Sequence, residues 1–166
     1  MENINDYRSM IDDAELVLVG IGEEFEQVEN AGEILNAYNN IANILEGKNY
    51  FVVSACENGL IFNSKLNSDK ITAPFCDFAG TEEQQEKQWG NYTLWLSCTL
   101  NRKLLVIELG ASINNPQLMR WPFEKTVELN NKATMLRVND FMPNVPKEIS
   151  EKSHVVKGSS IEFCLF

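Results

Sequence analysis

The sequence carries one histidine in 166 residues, His154, and its place near the C-terminus leaves no workable Ser/His/Asp triad. Paired cysteines are missing too. Cys56, Cys76, Cys98 and Cys164 stand 20, 22 and 66 positions apart, so no CxxC exists and a zinc site would need ligands from distant segments. Basic charge is scarce: 14 Lys and Arg against 24 Asp and Glu give a net charge of −10. That balance argues against nucleic acid and anionic lipid surfaces, which both demand a basic face. No run approaches the ~18 apolar residues of a membrane span. The segment Met1 to Asp13 is polar and acidic, without the basic flank and apolar core of a signal peptide. The expectation is a cytoplasmic protein whose thiols stay free and pack as small apolar groups.

What is present describes a folded globular chain. Hydrophobic residues make up 44% and charged residues 23%, which suits a core with a solvated surface and excludes disorder. No repeat, low-complexity tract or linker interrupts it, so residues 1–166 read as one domain. Glu15-Leu16-Val17-Leu18-Val19-Gly20 is a short apolar run closed by glycine, the form of a parallel strand covered on both faces. Val28, Ala31, Leu35, Tyr38, Ala42 and Leu45 then recur at helical spacing, widened by Phe25, Ile34, Ile41 and Ile44 and stopped at Gly47. Residues 50–54 form a second buried strand, completing a βαβ unit.

Further along, Lys70-Ile71-Thr72 predicts a brief strand. Thr81 caps a helix running through Trp89, Tyr92 and Trp95 to about Leu100. Lys103 to Gly110 is the clearest strand. Pro116 to Asn130 has helical period, with Pro122 expected to kink or restart it. Strands at Thr134–Asn139 and His154–Val156 and a closing helix over Ser159–Phe166 complete the pattern. Alternating strands and helices predict an α/β fold: a single Rossmann-like domain, a parallel sheet with helices on both faces. Ligands in such sheets sit beyond the carboxyl ends of strands. Three glycine-bearing ends are available: Gly20-Ile21-Gly22, Ser54 to Gly59, and Gly110-Ala111-Ser112.

The stretch Leu104 to Pro116, continuing through Arg120-Trp121-Pro122-Phe123-Glu124 to Ala133–Asn139, resembles the sirtuin family, in particular its bacterial, macrodomain-linked branch. There a strand ending in Glu-Leu-Gly leads to an Asn-Thr-Pro loop, an Arg-aromatic-Pro-Phe-Glu helix and a strand ending in Ile-Asn. Asn115 stands in place of the loop threonine. Upstream, Gly20-Ile21-Gly22 is similar to the Gly-Ala-Gly phosphate loop. Ser54-Ala55-Cys56-Glu57-Asn58-Gly59 is similar to the strand end carrying Thr-Gln-Asn-Ile-Asp-Gly. The resemblance implies an NAD- or ADP-ribose-binding fold whose cofactor contacts are Gly20, Ile21, Gly22, Ser54, Cys56, Asn58, Gly110, Ala111, Ser112, Asn115, Asn139 and Asp140, with either of the last two on the adenosine ribose.

Departures from the family pattern are substantial. The interval Leu60–Lys103 lacks the zinc module and its cysteine pairs, so no zinc is expected. Ala73-Pro74-Phe75-Cys76-Asp77 stands where the family's catalytic His-Gly would be. Cys56 replaces the Asn that contacts the nicotinamide ribose, and Asn58 replaces the Asp that holds the carboxamide. Between Arg8 and Lys48 lie nine acidic residues and no basic one. Glu23 and Glu24, expected to open the helix after the first loop, repel a pyrophosphate and can neutralise the helix end themselves. That loop reads either as a weakened dinucleotide site or as a tight turn with a self-neutralised helix. Asn114-Asn115-Pro116 fits a ligand loop and equally a helix cap with Pro at the first helical position.

The leading expectation is therefore a sirtuin-like domain that binds NAD or ADP-ribose and lacks the residues for protein deacylation. One alternative is a minimal NAD-consuming enzyme, a glycohydrolase or ADP-ribosyl transferase, with Asn58, Glu57 and Ser112 as catalytic candidates. Another is a protein-interaction subunit, self-associating through the Trp89–Trp95 helix.

Overall fold

A computed structural model of the chain describes residues 2–77 and 79–166, leaving aside the side chain of Val28, so that member of the helical stripe falls outside the described residues. Six strands form one all-parallel sheet in the order β3-β2-β1-β4-β5-β6. They are β1 (Leu16–Ile21), β2 (Asn49–Ser54), β3 (Ile71–Thr72), β4 (Leu104–Leu109), β5 (Thr134–Val138) and β6 (Ser153–Val156). Every residue of β1 and β4 is buried. Their unbroken apolar runs follow from this central position, where both pleat faces are covered.

Side-chain alternation divides the core in two. Val17, Val19 and Ile21 of β1, with Leu105, Ile107 and Leu109 of β4, face α1 (Arg8–Asp13), α2 (Ala31–Ile44) and α5 (Ser160–Cys164). Leu16, Leu18, Leu104 and Val106 face the opposite way, toward α3 (Glu82–Ser97) and α4 (Arg120–Leu129). Each fully buried aliphatic side chain contributes about 1.5–3 kcal/mol from leaving water. α2 buries Ile34, Ala37, Tyr38, Ile41 and Ile44; the stripe is thus rotated toward the residues expected only to widen it. Ala31, Leu35 and Ala42 are half-buried, and Ala37 joins although the period did not single it out. α3 begins where Thr81 and Gln84 close a capping box.

Two helix starts differ from expectation. Glu23 and Glu24 do not open a helix: residues 23–26 form a 3-10 turn, residues 28–30 another, and α2 begins only at Ala31. Gln27, extended at ψ 90°, breaks the path between them. α4 likewise starts at Arg120, not Pro116; Pro116 lies in a preceding turn, its carbonyl accepting the Trp121 N–H at 2.9 Å. Pro122 falls in the helix's first turn, where an N–H has no intrahelical acceptor, so it neither kinks nor restarts the helix.

On the α3–α4 face four charges meet, Glu108, Arg120 and Arg137 buried and Glu124 half-buried. Glu108 of β4 and Arg137 of β5 are register partners, each 0% exposed. Arg137 Nε lies 2.8 Å from Glu108 Oε1, and Nη2 lies 2.9 Å from Glu124 Oε1. Arg120 reaches Glu108 at 3.7 Å. Burial pushes the Glu108 carboxyl upward while both arginines pull against it, and burial lowers Arg120. The Arg-Trp-Pro-Phe-Glu segment thus supplies half of a two-plus, two-minus cluster.

No helix among the described residues is long and apolar enough to cross a membrane. Cys56, Cys98 and Cys164 are free thiols, Cys56 and Cys164 buried and Cys98 exposed, and Cys76 is buried as well. His154 is exposed on the edge strand β6, its ring edge-on to Tyr7 at 6.3 Å.

Candidate functional site

The winding of the sheet reverses between β1 and β4, and there the carboxyl ends of the strands open the crevice in which doubly wound folds take their ligands. The chain leaves β1 through Gly22, whose N–H donates to Leu109 O at 2.8 Å; Glu24 N–H donates to Gly110 O at 3.2 Å. The two central strands stay joined past their ends. A methyl group at Gly22 would overlap the Gly110 carbonyl and the Ala111 backbone. Its missing side chain therefore admits another loop of the protein. Gly20 is absorbed likewise, by Phe123 of α4 and by Met119 just before it. Gly110 turns the chain at φ 64°, against Glu24 and Ser160.

The turn after Gly22 then sends three carboxylates to three strand ends. Glu23 Oε2 accepts the Ser112 N–H beyond β4 at 2.8 Å. Glu24 accepts the Ser160 N–H at 3.1 Å, the Ser159 hydroxyl at 2.6 Å and the Ser160 hydroxyl, all beyond β6. Glu26 accepts the Glu57 N–H beyond β2, and the Asn58 amide at 3.1 Å. Strand-end N–H groups are the donors that bind phosphate in this architecture. Here the chain's own acids hold them. Phe25 pins the turn from below, fully buried and stacked on Tyr38 at a centroid distance of 5.3 Å.

The turn separates the residues that the sequence put forward. On the β4–β5 side, Gly110, Ala111, Ser112 and Asn139 border a cavity of about 390 Å³, completed by Ile113, Asn114, Phe141, Met142 and the turn residues Glu23, Glu24 and Gln27. On the β2 side lie Ser54, Cys56, Glu57 and Asn58, bound to one another, to Gly22 and to Glu26. Cys56 is wholly buried; its Sγ donates to Gly22 O at 3.6 Å, and burial pushes the thiol up to about 12. Asn58 Oδ1 accepts the Leu60 N–H at 3.2 Å. Ile21 is buried in the sheet, and Asn115 and Asp140 do not border the cavity.

Asn139 shapes the cavity more than it offers itself. Its Nδ2 donates to Ala111 O at 2.7 Å and its Oδ1 accepts the Phe141 and Met142 N–H groups, so it ties the β5 loop to the β4 loop. The buried charge cluster holds the next stretch. Arg120 donates to the Met142 and Asn144 carbonyls, and Arg137 to Asn144 O at 2.7 Å. On that anchored loop Phe141 stands 87% exposed at the cavity mouth, with Ile113 facing solvent at 59%. Phe141, Met142, Glu26, Ser159 and Ser160 are site residues that sequence reasoning missed. An aromatic just after a strand-ending Asn-Asp was a readable sign; the serines, more than 130 positions from Glu24, gave none.

Lysine and arginine are absent from the cavity lining. Among the described residues no group of three or more His, Cys, Asp or Glu is placed to hold a metal ion. The arrangement can receive a flat ring against Phe141, with small backbone-exposing residues beneath it and carboxylates at one end. No known protein-family profile matches the chain, and no curated protein matches it.

Proposed function

We propose that this is a sirtuin-like domain that holds the adenosine half of an NAD- or ADP-ribose-type ligand at the β1–β4 switch point and performs no protein deacylation. The observation that carries the reading is the cavity itself. It has about 390 Å³, within the usual size of small-molecule sites, and lies where this strand order takes its ligands. Gly110, Ala111 and Ser112 leave room for a ribose, and Phe141 and Met142 offer apolar area to a base. The nucleoside half of such a ligand fits these residues. The diphosphate does not: the N–H groups it would use are held by Glu23, Glu24 and Glu26.

The absence of deacylation is supported by the place of His154 on the outer strand and by the burial of Cys56. The enzymatic alternative has thinner support, because Asn58 and Ser112 are engaged by different carboxylates of the turn, Glu26 and Glu23. The interaction-subunit reading rests on α3, where Trp89 is 39% and Leu94 67% exposed, although Tyr92 and Trp95 pack on Phe51. Calorimetric titration with adenosine, ADP-ribose and NAD, with free nicotinamide assayed in the same samples, tests the proposal. Heat from an adenosine-bearing ligand without nicotinamide release supports it. Silence from all three up to millimolar concentration contradicts it.

A further inference from the structure

Of the three acids in the turn, Glu24 and Glu26 are locked and Glu23 is not. Glu24 accepts three hydrogen bonds, capping α5, and Glu26 two. Glu23 is half-buried and makes one, to the Ser112 N–H. That N–H belongs to the loop that floors the cavity, and Glu23 borders the same cavity. Its carboxylate therefore sits where a phosphate oxygen would accept from the β4 loop. No cation in the lining offsets it. A phosphate entering would have to break this hydrogen bond and then face the formal negative charges of Glu23 and Glu24 in the lining.

We infer that Glu23 is a phosphate-rejecting, specificity-determining residue, so that the resting cavity takes an unphosphorylated nucleoside and discriminates against its phosphate esters. The inference rests on the nucleoside reading of the cavity proposed above. A nucleoside brings what the site lacks, hydroxyl and amino donors, and these suit a carboxylate at the cavity's end. It also brings an aromatic face, which matches Phe141. Discrimination then follows from charge and not from size, because the cavity opens to solvent at Phe141, 87% exposed. Glu23 can be changed without undoing the fold: Phe25 pins the turn, and Glu24 and Glu26 keep their partners.

Calorimetry on the full chain with adenosine, AMP and ADP-ribose tests this directly, in the wild type and in Glu23→Gln and Glu23→Ala. In the wild type, affinity should fall in the order adenosine, AMP, ADP-ribose. Glu23→Ala should raise the affinity for ADP-ribose relative to adenosine by about tenfold, since the alanine frees the Ser112 N–H and removes the charge that repels phosphate, while adenosine loses a carboxylate acceptor. Glu23→Gln, which keeps an acceptor and loses only charge, should fall between. Wild-type binding of ADP-ribose as tight as adenosine overturns the inference and leaves the nucleoside cavity standing. So does an unchanged ratio in both variants when their melting curves match the wild type. Failure of adenosine to bind in any form overturns the nucleoside reading, and this inference with it.

Discussion

Two groups of acids in this molecule are both drawn out of bulk water and are neutralised in opposite ways. On the α3–α4 face, Glu108 and Glu124 meet Arg120 and Arg137. At the carboxyl edge of the sheet, Glu23, Glu24 and Glu26 meet backbone N–H groups and serine hydroxyls, with no cation paired to them among the described residues. The first group has zero net charge and serves the fold: it fixes the loop that carries Phe141 and Met142. The second has only hydrogen-bond donors for partners and consumes those that this architecture otherwise gives to a ligand. An acid paired with arginine has no further use for a cation or a donor. An acid paired with N–H groups leaves the site acidic and selective.

The largest effect should come from breaking the first group. Arg137→Met leaves Glu108, 0% exposed, with Arg120 at 3.7 Å as its remaining cation, and should cost about 3–5 kcal/mol in urea unfolding. Glu108→Met together with Arg137→Met removes both members of the closest pair, leaving Arg120 and Glu124 as a pair, and should cost clearly less than Arg137→Met alone. A double-mutant cycle measures the difference. If the double variant is the less stable, the cluster is not held by charge pairing.

Gly22→Ala comes next, since its methyl would press on backbone that cannot swing aside; about 1–3 kcal/mol is expected. Glu24→Ala should cost somewhat less, about 1–2 kcal/mol, because it uncaps α5 and leaves its serines to water. Hydrogen exchange should show the loss concentrated at Ser160–Cys164.

The smallest effect is chemical and tells the two sides of the turn apart. At pH 8 a thiol reagent should label Cys98 in the native protein and spare Cys56, whose thiol burial pushes to about 12. Because the folded thiol titrates above its ordinary 9, the unfolded chain ionises first and stability should fall as pH rises from 9 toward 12. Rapid labelling of Cys56 in the native state would mean that the turn opens freely.

Much of the fold was legible from local pattern. The apolar runs of β1 and β4, the end of α2 and the Thr81 cap depend on neighbours in sequence, and each formed within a residue or two of expectation. The start of α2 was misread because Glu23 and Glu24 make a good first helical turn by composition. Their actual partners lie 89 and 136 positions away, at Ser112 and Ser160, beyond the reach of any local rule. Gly20 and Gly22 were read as the counterpart of a phosphate loop, and the pattern did not say which parts of the chain approach them. The answer was α4 and the β4 loop. Arg120, Glu124 and Arg137 stood inside a family-like motif, and only the register of β4 on β5 shows that they form one charge cluster.

The most direct test of the account is a two-dimensional amide NMR titration of the wild-type protein with adenosine. The account predicts shifts at Gly110–Ser112 and Asn139–Met142, while the Glu57 and Ser160 amides, held by Glu26 and Glu24, stay in place. Shifts that spread to Glu57 and Asn58, or none at the β4 and β5 loops, would contradict it.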